Sequence, residues 1–370
     1  MKYYLIAGER SGDFHAADLM RALRTQDAAA QFRYWGGDLM QAVGGELVHH
    51  YQDLSIMGFW EAATSVLKFR GYLKECEKDL LAHRPDVLIL VDYAGFNLRV
   101  AKFAKAQGLK VFYYISPKIW AWNQGRVEQV KARVDKMFVI LPFEEEFYQR
   151  FDYPVDYTGN PTADAVAEFV PTPDFFVRNQ LDEARPIIAV LPGSRKQEIE
   201  EMLHVMLAIL PPFMDHQFVV AGVDNLDRAY YQHFERNGIR LVFDQTFDLL
   251  SHATAALVTS GTATLETALF GVPQIVCYRT SSVSYAIGKL VIKVPFISLV
   301  NLIAGHEVVK ELIQNSFTAR NLVDELKKLL TDEDYQARIR AGYDEIRAKL
   351  GQQQAAKKTA ALMVEYLRKG

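Results

Sequence analysis

The sequence predicts an α/β protein with two parallel-sheet domains. Apolar runs of strand length alternate with amphipathic runs of helix length along most of the chain, which is typical of strands joined by crossover helices. The alternation weakens between Gly159-Asn160-Pro161 and Pro171-Thr172-Pro173 and resumes at Pro186. The chain has 370 residues, more than one hydrophobic core usually supports. We therefore expect one domain over residues 1–165 and a second over residues 166–344.

The predicted elements divide into two similar halves. In the first half we expect strands at Tyr3–Ala7, Asp86–Val91, Val111–Ile115 and Met137–Leu141, with helices at Gly12–Leu23, Trp60–Ala82 and Leu98–Gln107. In the second half we expect strands at Ile187–Leu191, Phe218–Ala221, Leu241–Phe243, Ala256–Val258 and Ile275–Tyr278, and helices from Leu322 onward. Two Rossmann-like domains of this kind are expected to face a central cleft, with ligand at the carboxyl ends of their strands.

Composition narrows the class of protein. The net charge of −3 does not favour a nucleic-acid-binding role, which needs a strong basic excess on one face. The two cysteines, Cys76 and Cys277, lie in apolar contexts far apart, which suggests a reducing compartment. The N-terminus lacks the apolar length of a signal peptide, and lysines and a proline interrupt the apolar stretch from Tyr285 to Gly305. We expect a cytoplasmic protein.

The most informative segment is Thr259–Glu266, which predicts a buried strand that ends at Gly261 and a helix that begins at Thr262. A glycine here lets a ligand approach the backbone, and the first helical turn offers unpaired N–H groups to an anion such as a diphosphate. A carboxylate one turn later could accept hydrogen bonds from ribose hydroxyls. The nucleotide-binding candidates of this turn are Ser260, Gly261, Thr262, Ala263, Thr264 and Glu266. The alternative is a strand–glycine–helix turn without a ligand, which is common in α/β proteins.

A second turn of this kind opens the second half at Leu191-Pro192-Gly193-Ser194-Arg195. Gly193 follows a predicted strand, and Ser194 can cap the next helix; both are candidates for nucleotide binding. Arg195 offers a planar, permanently charged fork for phosphate oxygens. The alternative is a capped helix with a solvated arginine, so the case depends on both turns belonging to one site.

The first half repeats the pattern in Gly8–Asp13, where Gly8 and Gly12 bracket a polar loop between strand and helix. Ser11 could cap the helix or bind a ligand, and Glu9 or Asp13 could accept a proton. A plain capped turn is the alternative.

Two further segments follow predicted strands of the first half. Asp92 stands where a buried strand gives way to a loop, and a partly buried carboxylate has a raised pKa suited to a general base. Many such aspartates merely cap the next turn. After the next strand, Trp120 and Trp122 lie close to Lys118, a combination that binds sugars or anions in some proteins and fills domain edges in others.

A lipid-binding surface is also suggested. The segments Ile56–Trp60 and Val66–Lys74 mix bulky apolar residues with the cations Lys68, Arg70 and Lys74. Core packing explains much of this pattern, but an apolar surface edged with cations also suits an anionic lipid.

Taken in order, these motifs resemble the lipid A disaccharide synthase family. The resemblance runs from the first strand to about residue 315 and rests on Gly8–Asp13, Asp92–Asn97, Ser116-Pro117, Trp120–Trp122, Gly159–Pro161, Leu191–Ile199, Ser260–Glu266 and Asn301–Gly305. Each motif alone is weak, whereas the ordered series is specific.

The resemblance implies an inverting glycosyltransferase of the GT-B type, with UDP-2,3-diacylglucosamine as donor and 2,3-diacylglucosamine 1-phosphate as acceptor. The products are a β-1,6-linked disaccharide and UDP, with no metal or other cofactor. It also implies a peripheral protein on the inner face of the cytoplasmic membrane, possible homodimers, and C-terminal helices from about residue 345 that cross back to the first domain or to a partner.

The resemblance also assigns residues. Gly261–Thr264 and Arg195 would hold the diphosphate, Glu266 the ribose, and Asn301 would line the donor pocket. The acceptor candidates are Ser11, Gly12, Asn97, Trp120 and Trp122. Family members often carry an acidic residue where this chain has Gly95. Asp92 is therefore the first candidate for the general base, followed by Asp13 and Glu9.

Other functions fit the same architecture. One is another UDP-sugar enzyme, such as a cell-wall N-acetylglucosaminyltransferase or a UDP-sugar epimerase. Another is a nucleotide sensor without catalysis, in which Asp92 and Arg195 would be structural.

Overall fold

Two compact units make up the chain. The first comprises Met1–Pro161 with Gln352–Gly370, and the second comprises Thr162–Gly351. The computed structural model describes residues 1–55, 62–193, 196–223, 226, 230–231, 234, 239–281, 285, 288–289, 292–351 and 354–369.

The first unit is built on a seven-stranded sheet in the order β3-β2-β1-β4-β5-β6-β7, with every neighbouring pair parallel. Its strands are β1 Lys2–Ala7, β2 Gln31–Gly36, β3 Glu46–His50, β4 Val87–Val91, β5 Val111–Tyr114, β6 Lys136–Val139 and β7 Asp156–Tyr157. Its α-helices are Arg10–Gln26, Asp38–Val43, Tyr51–Ser55, Ala62–His83, Ala94–Ala106, Ile119–Trp122, Val127–Arg133, Pro142–Gln149 and Ala355–Arg368.

The register of the three central strands positions the candidate site. Ala7 of β1 pairs with Val91 of β4, and Val91 pairs with Tyr114 of β5. Because these strands are parallel and end level with one another, the residues that follow them meet at one edge of the sheet.

The second unit is built on a six-stranded parallel sheet in the order β10-β9-β8-β11-β12-β13. Its strands are β8 Ile187–Leu191, β9 Gln217–Gly222, β10 Arg240–Phe243, β11 Ala253–Thr259, β12 Gln274–Tyr278 and β13 Lys310–Ile313. Its described α-helices are Pro161–Glu168, Phe175–Arg178, Lys196–Leu207, Thr246–His252, Thr262–Leu269, Leu299–Ala304, Ala319–Thr331 and Glu333–Leu350. Leu191 pairs with Val258 and Thr259 with Cys277, so the two glycine turns follow neighbouring strands.

The predicted fold class of two parallel α/β domains is confirmed, and each of the nine predicted strands is present. Four further strands, β2, β3, β7 and β13, were not predicted. The predicted helix Trp60–Ala82 begins outside the described residues and continues as Ala62–His83.

The last helix, Ala355–Arg368, belongs to the first unit. Its Ala360, Met363 and Val364 are buried in the same apolar core as the first helix and β1. The hydroxyl of Thr359 hydrogen-bonds that of Thr158 at 2.9 Å. The preceding helix, Glu333–Leu350, belongs to the second unit. The return to the first unit therefore falls between residues 351 and 354.

None of the helices within the described ranges is both long enough and apolar enough to cross a lipid bilayer.

Candidate active site

Three segments meet at the carboxyl edge of the first sheet: Gly8-Glu9 after β1, Asp92-Tyr93 after β4, and Ile115–Lys118 after β5. Glu9 precedes the helix Arg10–Gln26, and its side chain is exposed. The sheet thus brings two of the three predicted candidates for the base, Glu9 and Asp92, to one edge beside Lys118.

Asp92 lies in an unusual backbone corner. Its φ is 46°, and Tyr93 has a φ of 47° and a ψ of 51°, so two consecutive residues are left-handed. For a residue with a β-carbon this conformation costs about 1–2 kcal/mol. Asn97 helps to hold the corner, because its side-chain N–H₂ donates to the carbonyl oxygens of Asp92 at 2.7 Å and Val91 at 3.2 Å.

The electrostatic surroundings of Asp92 suit a proton acceptor. Burial raises the pKa of its carboxyl group, while the positive charge of Lys118 opposes the shift. The residue is partly exposed, so a ligand can reach it. A carboxylate with a raised pKa is a stronger base than an ordinary surface aspartate.

Asp13, the second candidate for the base, has a different environment. Only 2% of the residue is exposed, and its carboxylate accepts backbone N–H groups of Gly37 at 2.7 Å, Leu39 at 3.1 Å and Met40 at 3.2 Å. These are orphan donors of the helix Asp38–Val43. The geometry favours a structural role for Asp13 over the predicted role as a base.

The remaining residues of the first loop differ in accessibility. Ser11 is exposed in the first turn of its helix. Gly12 is buried, and a β-carbon built on it would lie 3.3 Å from that of Ala7. Gly12 thus permits close helix–strand packing, which favours a packing role over the predicted contact with the acceptor.

The two tryptophans differ in exposure. Trp120 is 5% exposed and donates its indole N–H to Glu144 at 3.1 Å, which favours a structural role. Trp122 is 44% exposed, and the guanidinium of Arg126 lies 5.0 Å from the centroid of its ring. Trp122 can therefore present an aromatic surface to a sugar or acyl group. Asn97 is buried at the corner described above, which favours support of Asp92 over direct contact with the acceptor.

Glu144 was not predicted as a site residue. Its carboxylate is buried and accepts the backbone N–H groups of Ile140 at 3.2 Å and Leu141 at 3.0 Å as well as the Trp120 indole. Burial raises its pKa to about 7. The available signal was its place three residues into a helix whose first residue is Pro142, where a glutamate caps the preceding backbone. Through Trp120, Glu144 anchors the short helix Ile119–Trp122 that carries Trp122.

In the second unit, the strand β11 gives way to the helix Thr262–Leu269 through Gly261, as predicted. Gly261 is exposed and has an extended backbone with a φ of 167°. Among the described residues, no heavy atom other than those of its chain neighbours lies within 4 Å of a β-carbon built on it. The space beside this turn and the exposed Thr262 is open to a ligand.

The neighbouring residues of this turn support its shape. Thr264 is buried, and its hydroxyl donates to the carbonyl oxygen of Gly261 at 2.8 Å. Ser260 donates its hydroxyl to the carbonyl oxygen of Ile297 at 2.8 Å. Ala263 packs against the core of the second unit. The side chains of these three residues therefore shape the turn. The backbone N–H groups of Ser260 and Thr264 donate to the carbonyl oxygens of Cys277 and Gly261, both at 3.2 Å, which leaves the N–H of Ala263 to contact a phosphate.

The carboxylate of Glu266 is available to accept hydrogen bonds from a ligand. Burial raises the pKa of its carboxyl group to about 7. Within the described ranges, no residue donates a hydrogen bond to this carboxylate. A partly buried acceptor without a protein partner is typical of a group that is satisfied by a ligand.

The other glycine turn is described only to Gly193. Its φ of 109° lies in the region that favours glycine, directly after β8. Ser194 and Arg195 lie outside the described residues.

Asn301 is buried, and its amide is fully used inside the protein. Its oxygen accepts the N–H groups of Val308 at 2.8 Å and Val309 at 3.0 Å. Its nitrogen donates to the Val309 carbonyl and to the Glu311 carboxylate, both at 2.9 Å. Glu311 also accepts the N–H of Ile297 at 3.0 Å, next to the Ser260 contact. This network favours a supporting role behind the Gly261 turn over the predicted role in lining the pocket.

The comparisons with known proteins identify the family of the chain. The family model described as Lipid-A-disaccharide synthetase matches residues 3–365. The lipid-A-disaccharide synthase of Myxococcus xanthus (strain DK1622) is 38% identical over 99% of this chain and 97% of its own length. That of Syntrophus aciditrophicus (strain SB) is 36% identical with the same coverage. The chain belongs to the lipid-A-disaccharide synthetase family.

Solved structures are similar in fold at low identity. The UDP-GlcNAc 2-epimerase from Neisseria meningitidis, bound to UDP-GlcNAc, has a TM-score of 0.69 and 14% identity, with 100% of both chains covered. A calicheamicin glycosyltransferase has a TM-score of 0.62 and 16% identity, covering 99% of this chain and 98% of its own. These neighbours support the fold alone.

The sequence-based prediction of the family is therefore confirmed. As a member of the lipid-A-disaccharide synthetase family, the chain is a UDP-sugar-dependent glycosyltransferase. It transfers 2,3-diacylglucosamine from UDP-2,3-diacylglucosamine to 2,3-diacylglucosamine 1-phosphate with inversion and releases UDP.

Proposed function

We propose that the second unit of this glycosyltransferase binds the UDP moiety of the donor and that the first unit binds the acceptor and supplies the general base. The carrying observation is the Gly261 turn, which combines open space, an exposed helix start and the unpaired Glu266 carboxylate one turn later. Helix N–H groups favour the diphosphate, and the carboxylate favours the ribose hydroxyls. The family's reaction releases UDP from a UDP-sugar donor, which supports this choice of ligand.

In the proposed reaction, Asp92 takes the proton from the acceptor's 6-hydroxyl as that oxygen attacks the anomeric carbon of the donor. The bond from the anomeric carbon to the diphosphate oxygen breaks, and UDP leaves with the electron pair. In-line attack inverts the anomeric centre. Glu9 is the alternative base at the same edge of the sheet, because the carboxylate of Asp13 is committed to backbone N–H groups.

Stabilisation of the leaving diphosphate is assigned to the backbone N–H groups of Thr262 and Ala263, the Gly193 turn and Arg195. Preorganised donors of this kind are each worth about 100- to 1,000-fold in rate. We propose that no metal is needed. Ser11 and Trp122, both exposed, are assigned to the acceptor.

We also propose that the protein is cytoplasmic and binds the inner face of the cytoplasmic membrane through the helix Ala62–His83. Leu67 on this helix is 68% exposed, and Lys68, Arg70 and Lys74 are exposed on the same element. An exposed apolar side chain among cations suits a bilayer with anionic headgroups. The predicted apolar segment Ile56–Trp60 lies outside the described residues. A homodimer stays a prediction.

The test is a turnover assay that follows UDP release from the two acylated substrates, with and without a chelator. We expect Asp92→Asn to lower the rate about 100-fold or more, the usual size of a general-base contribution. A loss of tenfold or less would move the role to Glu9. Arg195→Ala should abolish turnover without unfolding the protein, and near-normal activity would remove Arg195 from the mechanism.

The same assay tests the proposed independence from a metal. Loss of activity on adding the chelator, restored by a divalent cation, would contradict the metal-independent mechanism.

A further inference from the structure

Two side chains converge on the carbonyl oxygen of Asp92. One is Asn97, whose N–H₂ lies 2.7 Å away. The other is Tyr113, whose hydroxyl donates a hydrogen bond to the same oxygen. Tyr113 belongs to β5 and pairs with Leu90 of β4, two residues before the carbonyl that it contacts. A residue of the neighbouring strand therefore holds the first residue of the left-handed corner.

The corner needs such support. Asp92 and Tyr93 are both left-handed, and so is the β-branched Ile115, with a φ of 64°, at the end of the adjacent strand. Left-handed backbone is a genuine outlier for a β-branched residue. Strained conformations of this kind persist when the surrounding structure over-determines them, and they concentrate at functional sites.

We propose that Tyr113 is a positioning residue for the Asp92 carboxylate, acting together with Asn97; this inference rests on the proposed role of Asp92 as the base. The two donors to the Asp92 carbonyl restrain its ψ angle, and the Asn97 bond to the Val91 carbonyl restrains its φ angle. These angles set the direction of the Cα–Cβ bond of Asp92. Tyr113 is fully buried, so it acts through Asp92 and does not contact the substrate.

The chemistry of Tyr113 suits a permanent donor. Burial, followed by the nearby negative charge of Asp92, raises the pKa of its phenol well above the ordinary value. The hydroxyl therefore keeps its proton over the whole working pH range. The bond to the carbonyl does not switch with pH, so any change in the pH profile on its removal reports on Asp92.

A merely structural role is the competing explanation, because a buried tyrosine hydroxyl on a carbonyl stabilises many folds. The first unit contains a matched control. Tyr153 is also buried, and its hydroxyl donates to the carbonyl oxygen of Val134 at 3.0 Å. Val134 lies just before β6, at the amino end of the sheet. Tyr153→Phe removes the same kind of bond at the amino ends of the strands, whereas Asp92 lies at their carboxyl ends.

The experiment measures kcat, KM and the pH profile of UDP release in the full chain for Tyr113→Phe, Tyr153→Phe, Asp92→Asn and the double variant Tyr113→Phe/Asp92→Asn. We expect Tyr113→Phe to lower kcat about tenfold or more and to leave KM within about twofold, since misplacing a catalytic group by 1 Å costs up to about 100-fold. The acid limb of the pH profile of Tyr113→Phe should lie at a different pH from that of the parent. Tyr153→Phe should lose a similar amount of thermal stability but keep the kcat and pH profile of the parent.

The double variant tests whether Tyr113 acts through Asp92. In the Asp92→Asn background, Tyr113→Phe should cost less than about twofold, because residues that act as a unit are not additive. Asn97→Ala, which removes the other donor, should lower kcat in the same direction, so the proposal does not depend on one variant folding.

Three outcomes would overturn the inference. Normal kcat in folded Tyr113→Phe, an equal loss of kcat in Tyr153→Phe, or full multiplication of the two effects in the double variant would each leave Tyr113 with a structural role. All three are compatible with Asp92 as the base. Near-normal turnover of Asp92→Asn would instead overturn the proposed base, and the positioning role with it.

Discussion

Gly8 leaves the space that the aromatic ring of Tyr93 occupies. A β-carbon built on Gly8 would lie 2.2 Å from Cδ1 of Tyr93 and 2.4 Å from its Cγ. Tyr93 is the second residue of the left-handed corner that begins at Asp92. The absence of a side chain after β1 is therefore coupled to the position of the candidate base after β4.

The first prediction concerns this contact. Gly8→Ala should move the Tyr93 ring, destabilise the first unit by about 1–3 kcal/mol, as overpacking does, and lower turnover by about tenfold or more. Chemical denaturation and the UDP-release assay measure the two effects. Gly71→Ala is the control, because no described residue outside its own helix places an atom within 4 Å of its added β-carbon in the helix Ala62–His83. Gly71→Ala should stabilise the first unit by about 0.5–1 kcal/mol. A Gly8→Ala variant with parental stability and turnover would contradict the coupling.

The second prediction compares the two glycine turns of the second unit. Gly261→Ala should leave the melting temperature nearly unchanged, because its backbone is extended and the space beside it is open. It should weaken UDP binding about tenfold or more, measured by calorimetry, if the diphosphate approaches this backbone. Gly193→Ala should destabilise by about 1–2 kcal/mol, because Gly193 has a φ of 109°. Unchanged UDP affinity in Gly261→Ala would exclude the turn from the site.

The third prediction concerns the pH dependence of UDP binding. The pKa of Glu266 is raised to about 7, and its ionised form is the better acceptor for ribose hydroxyls. Binding should therefore weaken as the pH falls through 7, by about tenfold between pH 8 and pH 6 from proton competition. Glu266→Gln should bind UDP more weakly than the parent at pH 8. Its UDP affinity should not show the tenfold fall between pH 8 and pH 6 that comes from protonation of Glu266. Parallel pH profiles for the two proteins would place the ribose elsewhere.

The fourth prediction concerns folding stability, which is favoured by the protonated form of Glu266, whereas UDP binding is favoured by the ionised form. A carboxyl whose pKa is raised from 4.5 to about 7 on folding binds protons more tightly in the folded state. Its contribution to stability is present below pH 4.5 and is lost as the pH rises to about 7. Glu266→Gln should therefore gain up to about 3 kcal/mol relative to the parent across this window, measured on unfolding of the second unit without ligand. A constant difference between the two proteins from pH 4.5 to pH 8 would argue against the shift.

The fifth prediction tests the last helix. Met363 is fully buried in the core of the first unit, so Met363→Ala should destabilise that unit by about 2–5 kcal/mol. Glu365→Ala, on the exposed side of the same helix, should change stability by less than about 0.5 kcal/mol. Equal effects of the two substitutions would mean that the helix does not pack on the first unit in solution.

The strands predicted with the most accurate bounds are those whose residues are apolar and buried. β8, with the sequence IIAVL, has the predicted bounds, and β4 and β5 differ from prediction by one residue. The strands that were missed carry polar residues with partners far along the chain. In β2, Arg33 pairs with Asp79, and in β13, Glu311 accepts hydrogen bonds from the segment around Ile297. Local hydrophobic periodicity does not contain such pairs.

The same limit applies to the site. The glycine turns and the strand-end Asp92 are local patterns, so their place at strand ends could be predicted. The distinction between Trp120 and Trp122 depends on Glu144, which lies more than 20 residues away in the chain. The left-handed corner depends on Tyr113 in the next strand. The capping role of Asp13 depends on the separate turn at Gly37.

The placement of the last helix has a consequence for biosynthesis. A ribosome that adds residues in order completes the whole second unit before it adds Ala355–Arg368, the segment that covers part of the first unit's core. Until then, the apolar surface under Ala360 and Met363 has no cover. The first unit, whose chain is synthesised first, is thus the last to complete its native structure. A nascent chain interrupted near residue 350 exposes this apolar surface to chaperones and proteases.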